Sequence, residues 1–159
     1  MTTALASQTA EPRTPQPPPV VHAAALLWMS AVAAGAFETV LAVGRELYEG
    51  TSGVLDLLPG AGLRVAVFAA AVFMALRMRA GQNWARLTLA VGLGVFGTLS
   101  LVVGPIQWLL HGGSIAEAAA GADLVTWLFT ISRVLHVTAV LGAVTLMFQP
   151  RANAWFRSE

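Results

Sequence analysis

The sequence contains no cysteine and no lysine, and only 11% of its 159 residues are charged. The lack of cysteine excludes a disulfide-stabilised scaffold. An ordinary soluble domain carries about 25% charged residues, so this chain has too few charges to cover a globule of its size in water. The formal net charge is +1, which excludes a protein built to bind nucleic acid.

Apolar residues, by contrast, are abundant: 57% of the chain is hydrophobic, and its mean hydropathy is +0.71. Four long apolar runs cover residues 20–44, 60–78, 87–110 and 123–148. A helix needs about 20 residues to cross the roughly 30 Å hydrocarbon core of a bilayer. Isolated segments satisfy their backbone in lipid only as helices. The sequence therefore predicts an all-α membrane protein, a four-transmembrane-helix bundle over residues 20–149 in up-down-up-down order.

The distribution of arginine predicts the orientation of this bundle. Cytoplasmic flanks of membrane helices carry the excess of basic residues. One set of flanks holds six arginines, and the opposite set holds two arginines with five acidic residues; the first set is Arg13, Arg77, Arg79, Arg86, Arg151 and Arg157. We therefore expect a multi-pass protein of the plasma membrane with both termini in the cytoplasm.

The two ends of the chain are predicted as tails. Residues 1–19 contain five prolines and no apolar periodicity, which predicts a disordered, Pro-rich cytoplasmic tail. Residues 150–159 are predicted as a C-terminal cytoplasmic tail. Ala34-Gly-Ala36 resembles a signal-peptidase site. The Pro-rich segment in front of the first run is untypical of a signal peptide, so we expect the run to be retained as a helix.

Charged residues within the apolar runs are the exceptional feature of the chain. Glu38 lies in the first run, and Arg133 lies in the fourth run with His136 about one turn further on. Such a charge costs about 2.5–3.5 kcal/mol near the centre of a membrane helix. By helical rise, Glu38 lies about 9 Å and Arg133 about 15 Å from the outer ends of their runs. The long arginine stem spans this difference, so we predict an ion pair.

Helical spacing places further polar residues beside this pair. Thr126, Thr130 and Arg133 follow one stripe of the fourth run, with His136 at its edge. The predicted buried polar site therefore consists of Glu38, Arg133, His136, Thr126 and Thr130. Three roles are open: an ion pair that fixes helix partners and register, a proton- or substrate-handling site with Glu38 titrating and His136 as relay, or a docking surface for a membrane protein.

No pattern for a cofactor, a metal or a nucleophile accompanies these residues. His22, His111 and His136 lie at different depths of the predicted bundle, so they do not suit a haem held by two histidines within one chain. No His, Cys or carboxylate cluster has metal-ligand spacing. The sequence also lacks a Gly-rich phosphate loop and a nucleophile elbow. We therefore expect neither a cofactor nor an enzymatic activity.

Three segments carry a resemblance to a known group of proteins. They are Ala33-Ala-Gly-Ala-Phe-Glu-Thr39, Arg79-Ala-Gly-Gln-Asn-Trp-Ala-Arg86 and Gln149-Pro-Arg-Ala-Asn-Ala-Trp-Phe156. In these the chain resembles small four-helix integral membrane proteins of actinobacteria. The resemblance covers the four helices and implies a fold and a lineage, but no established activity.

In outline the chain also resembles the small multidrug resistance transporters. That resemblance implies four helices and an essential glutamate in the first, where a proton and a cationic drug compete, and Glu38 matches that position. Two features depart from the pattern. This chain is longer, and Arg133 neutralises the carboxylate that a cation must find.

These observations together predict a small polytopic inner-membrane protein. We expect a non-enzymatic accessory or interaction subunit with a buried Glu-Arg pair. The alternative is a small homo-oligomeric proton-coupled transporter that uses the carboxylate of the first helix. The expected partners are the lipid bilayer and either a membrane protein or further copies of the chain, and no nucleic acid.

Overall fold

The computed structural model describes residues 16–157, and within them it contains helices and no strand. The helices are α1 (Pro19–Glu49), α2 (Val54–Arg79), α3 (Asn83–Leu110), α4 (Ile115–Ala120), α5 (Leu124–Met147) and α6 (Pro150–Trp155). The four long ones, α1, α2, α3 and α5, are each long and apolar enough to cross a membrane. The prediction of an all-α fold with four such helices is confirmed.

Helix α1 is longer than its apolar run, which ends at residue 44. It continues through Arg45 and Glu49, whose side chains form an ion pair one turn apart, with Nε and Oε1 2.7 Å apart. Gly50 then ends the helix in the left-handed conformation, at φ 64°, where glycine has no steric penalty. The helix outlasts the apolar run because hydropathy records which residues suit lipid, whereas the cap decides where the helix stops.

The starts of α2 and α5 are fixed by acidic side chains. The carboxylate of Asp56 accepts a hydrogen bond from the N–H of Gly53 at 3.1 Å, and α2 begins at Val54 rather than at residue 60. Asp123 accepts from the N–H of Thr126 at 2.8 Å and so caps α5. Hydrogen bonding by Thr126 lowers the pKa of Asp123. This cap therefore contributes stability at neutral pH that is lost as the pH falls through the lowered pKa.

The predicted tails differ from the structure where it describes them. Helix α1 begins at Pro19, whose fixed φ suits the first turn, and residues 1–15 of the predicted N-terminal tail lie outside the described residues. At the other end, residues 150–155 form α6 instead of part of a free tail. Ala152 and Phe156 are buried against the bundle, because the apolar side of this short helix packs on α1 and α5.

One end of the bundle contains most of the buried core. The start of α1, the end of α2, the start of α3 and the end of α5 meet there, through Val21, Met78, Leu89 and Met147. We call it the basic end, because Arg77, Arg79, Arg86, Arg151 and Arg157 belong to the same segments. The opposite, acidic end holds Asp56 in the first turn of α2, Glu117 in α4 and Asp123 at the start of α5. There the packing is looser, and no residue of Thr98–Leu110 is buried.

Helix α3 contains a π-helical segment, Leu89–Gly97, between two α-helical stretches. Within it, Gly94 faces α5 so closely that a Cβ atom would lie 2.9 Å from Cγ2 of Val144. Gly92, two residues earlier, has open space around it. The two glycines therefore have different roles, since only Gly94 permits the close approach of α3 to α5.

We predict that Gly94→Ala destabilises the fold relative to Gly92→Ala by about 1–3 kcal/mol, the usual cost of overpacking. Both substitutions remove the same glycine entropy, so their difference isolates the contact with Val144. Thermal unfolding of the two purified variants in one detergent measures it. Equal unfolding midpoints would show that α5 yields to the added methyl group at no cost.

Candidate functional site

A buried ion pair joins α1 to α5, as the sequence predicted. Nε of Arg133 donates to Oε2 of Glu38 at 2.7 Å. The side chain of Glu38 is 7% exposed and that of Arg133 is 29% exposed. The carboxylate of Glu38 is thus almost inaccessible from outside the protein, whereas part of the Arg133 side chain remains accessible.

The second carboxylate oxygen of Glu38 faces His136. Nδ1 of His136 lies 3.3 Å from Oε1 of Glu38. The guanidinium carbon of Arg133 lies 4.8 Å from the centre of the Phe129 ring, which holds the cation in a cation–π contact one turn before the ion pair. Glu38 therefore has one guanidinium partner, whose charge is permanent, and one imidazole partner.

The opposed directions of α1 and α5 bring these residues to one level. Three contacts follow one another along the two helices, with numbers that rise in α1 and fall in α5. They are Leu27 with Gly142, Ala34 with Ser132, and Arg45 with Thr126. Glu38 is eleven residues before the end of α1, about 16 Å by helical rise, and Arg133 is nine residues after the start of α5, about 14 Å. Because α1 extends beyond its apolar run, the depths agree better than the sequence suggested.

Small residues on α1 allow this close approach. Oγ of Ser132 donates to the backbone carbonyl of Ala34 at 3.3 Å, and Ser132 is buried. A Cβ atom at Gly35 would lie 2.9 Å from Cε1 of Phe68 and 3.1 Å from Cε1 of His136. The absence of a side chain at Gly35 therefore lets His136 approach α1 one turn from Glu38.

Thr126 and Thr130 do not join the ion pair, although they follow the predicted stripe. Oγ1 of Thr130 donates to the carbonyl of Thr126 at 2.8 Å, within its own helix. Oγ1 of Thr126 accepts from Nη1 of Arg45 at 3.4 Å, at the acidic end. A helical threonine satisfies its hydroxyl on the preceding turn, so a shared stripe does not require a shared site.

The ion pair lines a chamber between the four long helices. The chamber has a volume of about 260 Å³, far above what a single water molecule needs. Each helix contributes part of its wall: Glu38 and Trp28 from α1, Arg64 and Phe68 from α2, Thr98 and Leu101 from α3, and Arg133 and His136 from α5. One chain thus supplies all four walls of a largely apolar space that has charged side chains in its lining.

Two polar groups of the chamber-lining residues have no partner among the described residues. Nε1 of Trp28 and Oγ1 of Thr98 are both buried and make no hydrogen bond there, and Trp28 is 1% exposed. An unsatisfied buried donor costs about 1–3 kcal/mol. Both groups belong to residues of the chamber wall, but the two atoms are closed off from its open volume. A ligand that supplies hydrogen-bond acceptors therefore reaches them only after a local movement of the side chains.

The chamber is not a metal site in the part of the chain that the structure describes. Across residues 16–157 no group of three or more His, Cys, Asp or Glu side chains comes together. Its charged and titratable groups are Glu38, Arg64, Arg133 and His136. This set can hold an anion by charge and exchange a proton between a carboxylate and an imidazole.

The sequence did not reveal Trp28, Ser132 or Thr98 as parts of the site. Trp28 lies in an uninterrupted apolar stretch, where a tryptophan is typical of the core. Ser132 adjoins Arg133 but falls off the predicted stripe. Thr98 lies on α3 and Glu38 on α1, with the whole of α2 between them in the chain, so the proximity of both to one chamber depends on packing that no local pattern encodes.

We predict that Arg133→Met lowers the free energy of unfolding by about 3 kcal/mol, the lower end of the range for breaking a buried ion pair. The loss arises because Glu38 stays buried without its cation. The double variant Glu38→Gln/Arg133→Met should be more stable than this single variant, since it leaves no unpaired charge. Denaturant unfolding in mixed micelles measures both.

Arg45→Met is the matched control for that experiment. It breaks the Arg45–Glu49 ion pair, whose side chains are 49% and 45% exposed, so its effect should be far smaller. A similar loss for Arg45→Met and Arg133→Met would contradict the importance of burial at Glu38.

Comparison with protein-family models, with curated proteins and with solved structures gives no match to this chain. The resemblance to actinobacterial four-helix membrane proteins therefore stays a prediction. Evidence for the function comes from the residues and geometry of the chamber.

Proposed function

We propose that the four long helices span the plasma membrane in up-down-up-down order, with the basic end and both termini in the cytoplasm. Large apolar side chains are exposed on every one of these helices, including Leu26, Val65, Phe96 and Val134. Soluble monomers rarely expose extensive apolar surface of this kind. The described arginines of the predicted cytoplasmic flanks also gather at the basic end, as the positive-inside rule requires.

Because the chain has no cysteine, single cysteine substitutions report this topology without background. We predict that Tyr48→Cys, next to the end of α1, reacts with a membrane-impermeant maleimide on intact cells. Asn83→Cys, at the start of α3, should react only after the membrane is permeabilised. Both positions are exposed, so burial does not account for a difference. Labelling in the reverse pattern would mean the opposite orientation.

We infer that the chamber binds a small polar molecule and that the protein transports it together with a proton. The single observation that supports this function is a buried carboxylate in the wall of a 260 Å³ chamber, near donors that lack partners. A purely structural ion pair needs neither the space nor the unsatisfied groups. The site is complete in one chain, so binding does not depend on an interface between copies.

The balance of donors and acceptors favours an anion as the ligand. Glu38 is the carboxylate of the chamber, and Arg133 and His136 already occupy both of its oxygens. The donors of Trp28 and Thr98 remain free. Arg64 adds a second positive charge to the wall. We therefore propose a small organic carboxylate or phosphate, which differs from the cationic substrates that the small multidrug resistance resemblance implies.

Proton coupling follows from competition for Arg133. The guanidinium keeps its charge at all relevant pH values. An anionic ligand that pairs with Arg133 competes with Glu38 for the same cation. When Glu38 loses that partner, the negative charge of its buried carboxylate is left uncompensated, which is costly in an apolar bundle. Binding of the anion and uptake of a proton by Glu38 are then coupled, with His136 placed to relay the proton.

We predict that small carboxylates and phosphates raise the thermal unfolding midpoint of the purified protein, and that amines of the same carbon skeleton do not. Benzoate and benzylamine form the first matched pair. Thr98→Val should lower the affinity for the anion by about 2- to 13-fold, the equivalent of one hydrogen bond. The affinity is read from the dependence of the unfolding midpoint on anion concentration.

Thr88→Val is the control, because Thr88 is exposed on α3 and bonds the carbonyl of Trp84. Stabilisation by the amines alone, or by no member of the panel, would contradict an anion-binding chamber. A greater effect of Thr88→Val than of Thr98→Val would do so as well.

The second candidate function is that of a non-enzymatic accessory subunit. The observation in its favour is that both oxygens of Glu38 are engaged between α1 and α5, as expected of a pair that fixes helix partners. The charge-swapped variant Glu38→Arg/Arg133→Glu separates the two functions. Restored folding with lost anion binding supports the transporter, whereas restored folding and a stoichiometric partner after purification in mild detergent support the accessory subunit.

A further inference from the structure

Arg86 is a buried arginine at the basic end, outside the chamber. It lies near the start of α3 and is 8% exposed. Its guanidinium carbon is 4.4 Å from the centre of the Phe148 ring and 4.7 Å from the centre of the Phe156 ring. Phe148 follows α5 and Phe156 follows α6, so the cation connects three segments of the chain.

This cation has no anionic partner in residues 16–157. Its Nε is buried without a hydrogen bond there, and the described salt bridges lie elsewhere. The nearby charge of Arg157 is of the same sign. The aromatic rings stabilise the guanidinium through their faces, but they offer no acceptor to its N–H groups.

The surroundings of Arg86 carry basic residues and no described acidic residue. The segments that meet at this end carry Arg77, Arg79, Arg151 and Arg157, all exposed. The described acidic residues are Glu38, Glu46, Glu49, Asp56, Glu117 and Asp123, and each belongs to the other half of the bundle or to its loops. The basic end therefore attracts anions, and Arg86 is its one buried cation among the described residues.

We propose that Arg86 and Arg157 bind a phosphate group at the basic end, and that the headgroup of an anionic membrane lipid supplies it. A guanidinium presents a planar fork of donors that matches phosphate oxygens. Phe148 and Phe156 hold the guanidinium in place without accepting a hydrogen bond from its N–H groups. Basic pockets at the cytoplasmic ends of membrane helices are typical places for such headgroups.

The headgroup rather than free phosphate is favoured by the location. The site lies where α3 begins and α5 ends, beside the exposed apolar side chains Trp84 and Leu87. If the helices span a bilayer as proposed above, this level is its cytoplasmic interface. The inference does not depend on the chamber or on transport, so either proposal can fail without the other.

The experiment measures lipid binding by the full-length protein, purified in detergent, with native mass spectrometry and thermal unfolding. The probes are phosphatidylglycerol, which is anionic, phosphatidylcholine, whose phosphate is neutralised by choline, and inorganic phosphate. We expect phosphatidylglycerol to bind and to raise the unfolding midpoint. Equal effects of inorganic phosphate at the same concentration would identify a free-phosphate site, and equal effects of phosphatidylcholine would overturn the anion requirement.

Variants then test whether Arg86 itself is responsible. Arg86→Met keeps most of the side-chain volume, and Arg86→Lys keeps the charge without the planar fork. Both should weaken phosphatidylglycerol binding about tenfold or more, as loss of a charged hydrogen bond does. Arg79→Met is the matched control, because Arg79 is exposed at the same end. It removes one positive charge without touching Arg86, so it should change the affinity for phosphatidylglycerol by less than about twofold.

Two outcomes would overturn the proposal. An equal loss for Arg79→Met and Arg86→Met would show a diffuse attraction by the basic end. Unchanged lipid binding by folded Arg86→Lys would show that the arginine serves only to dock α6 through its rings. Should Arg86→Met fail to fold, Arg157→Met decides the question, since Arg157 is exposed and its loss should weaken binding without unfolding the protein.

Discussion

The structure depends on the cost of placing a carboxylate inside an apolar bundle. Glu38 is almost fully buried, and an ionised group there must be paired. Its two partners both belong to α5, so the requirement for pairing also determines which helix lies beside α1 and at what level. The hydrogen bond from Ser132 and the open space at Gly35 adjust the same contact. Charge neutralisation and helix register are therefore one constraint at this position.

The bundle divides its length between tight packing and open space. At the basic end, alanines, large apolar side chains and the docked α6 fill the interior. Beyond Glu38, the part of α3 that runs towards the acidic end (Thr98–Leu110) has no buried residue. The chamber occupies the middle of the bundle. A protein that needed only a stable membrane anchor would gain by filling this volume, because empty space in a core lowers stability. The chamber is for this reason the part of the fold that most requires a functional explanation.

Sequence reasoning predicted the parts of this structure that local patterns encode. Low charge and four apolar runs predict four long helices, and the depths of Glu38 and Arg133 predict their pairing. The apolar runs located the end of α1 and the start of α2 less well, because Gly50 and Asp56 cap these helices through backbone conformation and a hydrogen bond that hydropathy does not register. The contribution of Thr130 was misjudged because its hydroxyl is satisfied within its own helix. The chamber was beyond prediction, since its volume belongs to four helices jointly.

The π-helical segment of α3 changes the directions in which the later side chains of this helix point. Bonding between residues five apart places more residues in each turn than α-helical bonding does, so each residue turns the chain by a smaller angle. The direction of every side chain after Gly97 therefore lags behind that of a regular α-helix. Thr98 and Leu101, which face the chamber, lie directly after this segment. Regular α-helical bonding through Leu89–Gly97 would turn the rest of α3 as a unit, changing the lining of the chamber while leaving every side chain in it chemically the same.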